Sequence, residues 1–439
     1  MSRDPSADLG SGTSARCSAR LHAALWTLSV LFFGLCSVAI GMNVTWDTRN
    51  YHFYNAYSLL HGRLNLDWAP AQRQNFLNPA LEILPYLAMR HAPARLVGFA
   101  LGAAHGLNFA LAVELGLALW KRVAPDLDVA KRWALSLLAA ATGCYAAGFA
   151  VELGSLSHDN VTSLFGLSAL WLVCTADEAH TARGAQLRIG IAGLLMGLGV
   201  GLKLNAAVFA VALVLTLPLL ATSVKSGLRD TTILAACTGL GVVLSFGWWA
   251  IVLYRRFGSP LFPFYNDLFH SEWLPPITYA DVTWPAKTLG DAVSFPFRMG
   301  SLDTTGCEQA YRDGRYIIWI LGLLSAPFFL RNRRGGIRSE GHPHLLLLIA
   351  FSIVAFALSM KLYGYMRYLI LLELLVPLVL LLLAGIHPAA RRWALQLFVA
   401  LLIGNALWLR PPQAERVPWR LNKVSARCYI LRHEHGNGN

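Results

Sequence analysis

Outside the strongly basic connections of this sequence, seven acids and bases sit beside apolar runs at one membrane face: Asp47, Glu82, Glu152, Asp159, Lys203, Lys361 and Arg367. A charged side chain in or next to a membrane span is costly, so it faces the protein interior, a water-filled cavity or a charged ligand. Carboxylates in such a place can take a proton from a hydroxyl, and ammonium and guanidinium groups can stabilise a phosphate. Asp47, in "VTWDTRNYHFYNAYSLLHGR" at 44 to 63, is an acid set among aromatic and amide side chains. It is read either as the N-cap of a helix running to Gly62, a role worth about 1 kcal/mol, or as a catalytic base.

The other candidates carry similar pairs of readings. Glu152 and Asp159 flank the short connection "VELGSLSHDN" and are either solvated loop acids or partners of Asp47. Lys203, in "GVGLKLNAAVF", has almost no loop to solvate it; it either snorkels to the headgroups or reaches a lipid phosphate. Arg367, in "YGYMRYLILLELL", makes the same case with the better phosphate geometry, because guanidinium binds two oxygens at once. His52, Tyr54, Asn55, Asn78 and Glu82 of the first long connection, with Lys203, Lys361 and Arg367, form the candidate substrate-binding set. Glu373 is read as neutralising a nearby cation, and His105, Asn108 and Glu114 as polar contacts between helices. The chain has no HExxH zinc pattern, although a carboxylate-bound divalent ion is compatible with these acids.

The elements that must position these residues are membrane spans. Of 439 residues, 56% are apolar and 14% charged, with a mean hydropathy of +0.48, which marks an all-α polytopic membrane protein. Apolar runs recur at about 22–42, 96–120, 133–150, 160–176, 189–203, 205–222, 231–254, 316–330, 343–361, 368–388 and 393–409, about eleven spans in all. The first is read as a retained signal anchor behind a short tail, 1–21. Basic connections at 121–132, 331–338 and 387–392 place these loops in the cytoplasm and the formal charge of +13 in topology rather than nucleic-acid binding. Alternation then puts two long segments, 43–95 and 255–315, outside; the tail 410–439 falls outside too, although it is basic. In 43–95 a first helix should lie in the interface with its tyrosines at headgroup depth, and a second should start near Pro79. Cys36, Cys144, Cys174 and Cys237 lie in apolar runs and read as small core side chains.

A phosphate loop, a dinucleotide GxGxxG and a GxSxG nucleophile elbow are all absent from the sequence. One reaction fits acids and bases collected at one membrane face. A sugar joined through phosphate to an isoprenoid places its tail in the bilayer, its phosphate at the interface and its sugar just outside. A carboxylate takes the acceptor proton, cations hold the departing phosphate, and direct displacement inverts the anomeric centre. A transporter or flippase would instead favour charges at the bilayer midplane, broken helices and a repeat between halves.

Four stretches carry a resemblance: "WDTRNYHFYNAYSLLHGRLNLDWAPAQRQNFLNPALE", "GLKLNAAVFA", "FGSPLFPFYN" and "MRYLILLELL", in this order. With the spacing of spans they make the chain resemble the GT-C superfamily of polytopic glycosyltransferases, and within it bacterial proteins of the glycosyltransferase 87, polyprenyl-phosphate-mannose-dependent type. The resemblance implies a bacterial inner-membrane enzyme with a periplasmic site, a polyprenyl-phosphate sugar donor and a lipid or glycan acceptor. It implies Asp47 as base, Asp159 or Glu152 assisting, and Lys203 and Arg367 on the phosphate. The family often has two adjacent acids at the start of this first external loop; here Thr48 follows Asp47. A ligase or polymerase of preassembled glycans would share the fold.

Overall fold

The computed structural model describes residues 5–419 except 65, 68, 70, 280, 281 and 332–341; most of the basic connection at 331–338 and of the tail at 410–439 lies outside the described residues. Each of the eleven apolar runs is helical. The chain begins with α1 (Pro5–Ile40) and a two-residue strand β1 (Met42–Asn43). The first long connection then holds a π-helical turn, Thr48–His52, that runs into α2 (Phe53–Leu60), followed by α3 (Ala80–His91). Next come α4 (Ala94–Val123), α5 (Val129–Cys144), the short α6 (Ala147–Val151), α7 (Asp159–Cys174) and α8 (Ala182–Leu202). After one extended residue, Lys203, the chain re-enters helix as α9 (Ala207–Thr216), flanked by 3-10 turns, and then α10 (Val224–Phe257). The second long connection carries α11 (Asn266–Phe269) and α12 (Leu289–Met299), and the chain continues through α13 (Arg315–Arg331), α14 (His342–Leu362), α15 (Ile370–Gly385) and α16 (Arg391–Trp408) to β2 (Arg416–Val417). Among the described residues six helices are long and apolar enough to cross a membrane, and three more apolar helices are shorter. The protein is all-α and polytopic apart from the β1–β2 ribbon.

The centre of the bundle is α15, which packs on α5, α13, α14 and α16, and whose every residue from Ile370 to Gly385 is buried. A helix apolar on all sides is expected there, since it presents no face that prefers water. The α8–α10 pair is held by small residues. Gly193, Gly197 and Gly201 recur every fourth position, and a Cβ on Gly197 would stand 2.0 Å from the Thr238 carbonyl oxygen. This close approach puts the carboxyl end of α8, and hence Lys203, against α10.

The two ends of the bundle hold different connections. At one end Arg122 pairs with Asp177 at 2.6 Å and Glu178 at 3.1 Å, and Arg391 pairs with Asp126 at 2.5 Å. At the other, the two long connections meet: Phe76 packs edge-on against Phe257 and Phe262. β2 joins this second end, pairing antiparallel with β1 (Met42 opposite Val417, Asn43 opposite Arg416). The start of the tail therefore lies with the first long connection, as an eleven-span count requires despite its basic charge.

Candidate active site

Asp47 opens the first helix of the long connection, but it does not cap it. Its backbone is already helical (φ −57°, ψ −47°) and its side chain makes no capping bond; Thr45 Oγ1 accepts from the Thr48 amide instead, at 3.2 Å. The capping reading is thus corrected. The π-turn that follows adds a residue to the local winding, a device found mostly at functional sites, and buries Tyr51 and His52 behind Asp47. Burial works against the charged carboxyl, yet the charge of Arg367, with hydrogen bonds from Arg367 and Tyr51, outweighs it and holds Asp47 down at about 2.

The connection between α6 and α7 supplies the other two acids. The Gly148 and Phe149 amides at the start of α6 donate to the Glu373 carboxylate at 3.0 and 2.8 Å. Glu373 therefore meets a helix N-terminus, where its charge is favourable. The cation near it, Arg315, is engaged by Asp313 at 2.7 Å and donates to the Glu373 carbonyl rather than to its carboxylate. Beyond α6, Arg416 donates to the carbonyls of Leu153 at 2.6 Å and Val151 at 3.2 Å, and the Asn43 side-chain amide donates to Val151 at 2.8 Å. These bonds clamp the chain on both sides of Glu152. Gly154 turns it with φ +76°, where a Cβ would lie 2.9 Å from the Gly41 carbonyl. His158 also holds a positive φ (60°), and Asp159 then enters the first turn of α7.

Two cations close the cluster. Arg367 Nη2 donates to Asp47 Oδ2 at 2.6 Å, Nη1 reaches Ser157 Oγ at 3.4 Å, and Nε lies 3.2 Å from Asp159 and 3.9 Å from Glu152. Lys203 Nζ lies 2.7 Å from Asp159 Oδ1 and donates to the Ser157 carbonyl at 2.6 Å. Asn205 donates to the same Asp159 oxygen at 3.2 Å. Tyr365 and Tyr368 flank the guanidinium at 5.3 and 5.9 Å. Three carboxylates thus face two cations in a buried space, where unpaired charge is expensive. Burial, ahead of the neighbouring Asp159, pushes Glu152 up to about 7 against the pull of Arg367 and Lys203.

Two cavities adjoin this cluster. One has a volume of about 20 Å³ and runs from Asp159, Asn205, Arg367 and Tyr368 along apolar side chains of α7, α8, α9 and α15. The second has a volume of about 50 Å³ and lies between the first connection, the α6–α7 connection and α10. It holds His52 and Glu82, whose Nδ1 and Oε1 are 3.1 Å apart; burial pushes Glu82 up to about 8 and His52 well below its usual range.

The structure therefore brings together Asp47, Glu152, Asp159, Lys203 and Arg367, with His52 and Glu82 beside them. It does not bring Lys361, which is exposed in the last turn of α14 and takes no part in the cluster's ion pairs. Tyr54 donates to Asp67 at 3.0 Å, and Asn55 bonds Gln74 and Asn75, so both brace the first connection. Asn78 donates to the carbonyls of Gly201 and Ser245 at 2.7 and 3.0 Å, tying α3 to the α8–α10 pair, and also lines the second cavity. His105 and Asn108 contact Asn160, and Glu114 contacts His22, as expected of interhelical polar pairs. Sequence reasoning missed Arg416, the role of His158, and the buried Asp313–Arg315–Asn405 set. Arg315, a cation opening an apolar run, carried the same signal as Arg367. Among the described residues no group of three or more His, Cys, Asp or Glu side chains is arranged to hold a metal ion.

Fold and site together define a polytopic helical membrane protein with a buried ion cluster at one end of its bundle. The chain is similar to the crystal structure of ArnT from Cupriavidus metallidurans bound to undecaprenyl phosphate, with a TM-score of 0.47 and 14% identity over 95% of this chain and 75% of that one. No family model matches the chain, and no curated protein matches it.

Proposed function

We propose that this protein is a polytopic membrane glycosyltransferase of the GT-C kind, acting at the external, periplasmic face of a bacterial inner membrane. It moves a sugar, with mannose the first to test, from a polyprenyl-phosphate donor to a lipid or glycan hydroxyl with inversion. The observation that supports this best is the convergence of Asp47, Asp159 and Glu152 on Arg367 and Lys203, beside a cavity with an ionic mouth and apolar walls.

The roles follow from charge. Asp47 held at about 2 by Arg367 is ionised but weakly basic. A donor phosphate competes with that carboxylate for the guanidinium, because both are oxyanions whose paired oxygens accept two N–H bonds from one guanidinium. As Arg367 turns to the phosphate, Asp47 loses its counter-charge and its basicity rises next to the acceptor hydroxyl. Lys203 stabilises the phosphate as it leaves, and Asp159 orients both cations. Base activation is thereby tied to donor binding, which limits proton abstraction in the absence of donor.

The test is transfer in membranes holding radiolabelled polyprenyl-phosphate mannose, comparing wild type with Asp47→Asn. Label moving into a lipid or glycan fraction with wild type and not with the variant is the expected result. Absence of transfer by wild type with any polyprenyl-phosphate sugar, or full transfer by Asp47→Asn, sinks the reading.

A further inference from the structure

The second cavity has no occupant in the reaction above. Its lining joins His52, Glu82, His158 and Lys203 to aromatic and aliphatic side chains, Phe76 and Phe262 among them. His52 and His158 are only 4% and 3% exposed, and their rings meet edge to face with centroids 5.8 Å apart. Glu82 occupies His52 Nδ1, while Nε2 of both histidines and Oε2 of Glu82 are buried without a hydrogen-bond partner. One such atom costs about 1–3 kcal/mol, and three around one cavity call for a ligand.

The chemistry of these atoms narrows the ligand. Lys203 is engaged by Asp159 and the Ser157 carbonyl. Burial keeps both imidazoles uncharged, with His158 pushed down to about 3. A neutral imidazole presents either a donor or an acceptor at Nε2, according to tautomer. A hydroxyl can meet either, whereas a phosphate or carboxylate can only accept. The apolar part of the lining suits an alkyl chain or the flat face of a sugar ring.

We infer that this cavity binds a neutral hydroxyl-bearing group on an apolar or pyranose face, with His52 and His158 as its hydrogen-bond partners. Tyr51 lines the same cavity and hydrogen-bonds Asp47, so the bound hydroxyl adjoins the proposed base. Only the origin of that hydroxyl, the donor's sugar or the acceptor, rests on the transferase reading.

Three variants test it in full-length protein reconstituted in lipid nanodiscs. His52→Asn keeps a donor near Nδ1 for Glu82 and removes Nε2, and His52→Gln keeps a polar atom near Nε2. His158→Gly deletes the ring at a backbone position (φ 60°) that glycine adopts freely. The probes are tritiated octyl β-glucoside, bare polyprenyl phosphate and polyprenyl-phosphate mannose. Octyl glucoside binding should weaken at least tenfold in His52→Asn and His158→Gly and largely recover in His52→Gln, with bare polyprenyl phosphate unaffected. If those two variants also lose the preference for the mannosylated over the bare lipid, the occupant is the donor sugar; if they keep it, the acceptor. Wild type that binds no glucoside and shows no preference for the mannosylated lipid, or variants that bind like wild type, overturns the inference. Wild type that ignores bare polyprenyl phosphate counts against the transferase reading alone, because the glucoside arm still decides the cavity.

Discussion

Arg367 donates to Asp47 across 2.6 Å of space and 320 residues of sequence. The bond fastens the entry of the central helix α15 to the helical turn that leads into α2, so one ion pair fixes the relative position of two elements that no local sequence signal links. It also sets the ionisation of the proposed base.

Removing one member of this pair should cost more than removing both. Arg367→Gln leaves a buried carboxylate without its partner, a loss of about 3–5 kcal/mol. The double variant Asp47→Asn/Arg367→Gln should recover a measurable part of it. Thermal unfolding of the purified proteins checks this, and strict additivity of the two single effects would contradict it.

Lys203→Met should separate donor recognition from folding. A hydrogen bond to a charged group contributes about 1.5–3 kcal/mol, so KM for the donor should rise between roughly tenfold and a hundredfold. The melting temperature should fall far less than in Arg367→Gln. Unchanged donor saturation would remove Lys203 from the phosphate site.

Glu82 gives a pH signature. Its carboxyl is raised from 4.5 to about 8 by burial, so the folded state holds the proton more tightly than the unfolded chain does. The associated stability is fully present below about 4.5 and is lost as pH rises through about 8. Glu82→Gln is neutral at every pH. The stability of wild type relative to this variant should therefore decline across that window; a flat difference in melting temperature would mean that the carboxyl is not buried as described.

Gly197 tests the packing that delivers Lys203. Its Cβ would stand 2.0 Å from the Thr238 carbonyl, a backbone atom that cannot swing aside. Gly197→Ala should cost about 1–3 kcal/mol or more and weaken donor use as α8 and α10 move apart. Gly239→Ala, at a position where a Cβ meets nothing within 4 Å, is the control and should leave both unchanged.

Much of this arrangement is legible in the sequence because membrane burial makes charge conspicuous. Asp47, Glu152, Asp159, Lys203 and Arg367 stand out at the ends of apolar runs, and the structure gathers all five. Lys361 gives the same signal without the outcome, because its four-carbon stem lets it reach solvent from a helix end. The N-cap expectation for Asp47 fails for a related reason: cap preferences are local, worth about 1 kcal/mol, and a buried cation from a distant helix outweighs them. The partner of Glu373 is missed because backbone amides leave no trace in residue identity. His158 is hidden by its surroundings, since a histidine beside an aspartate in a short connection reads as solvated until the fold closes over it. The Gly193, Gly197 and Gly201 spacing was visible, but it says only that something approaches closely, not which helix does.

The pairing of β1 with β2 has a consequence for the order of biosynthesis. Arg416, which clamps the carbonyls on either side of Glu152, leaves the ribosome after every helix from α1 to α16 has been made. The ion cluster therefore cannot reach its final geometry while the chain is still being inserted, however early its individual acids emerge. Chains interrupted late in translation would sit in the membrane with their helices in place and their chemistry unassembled.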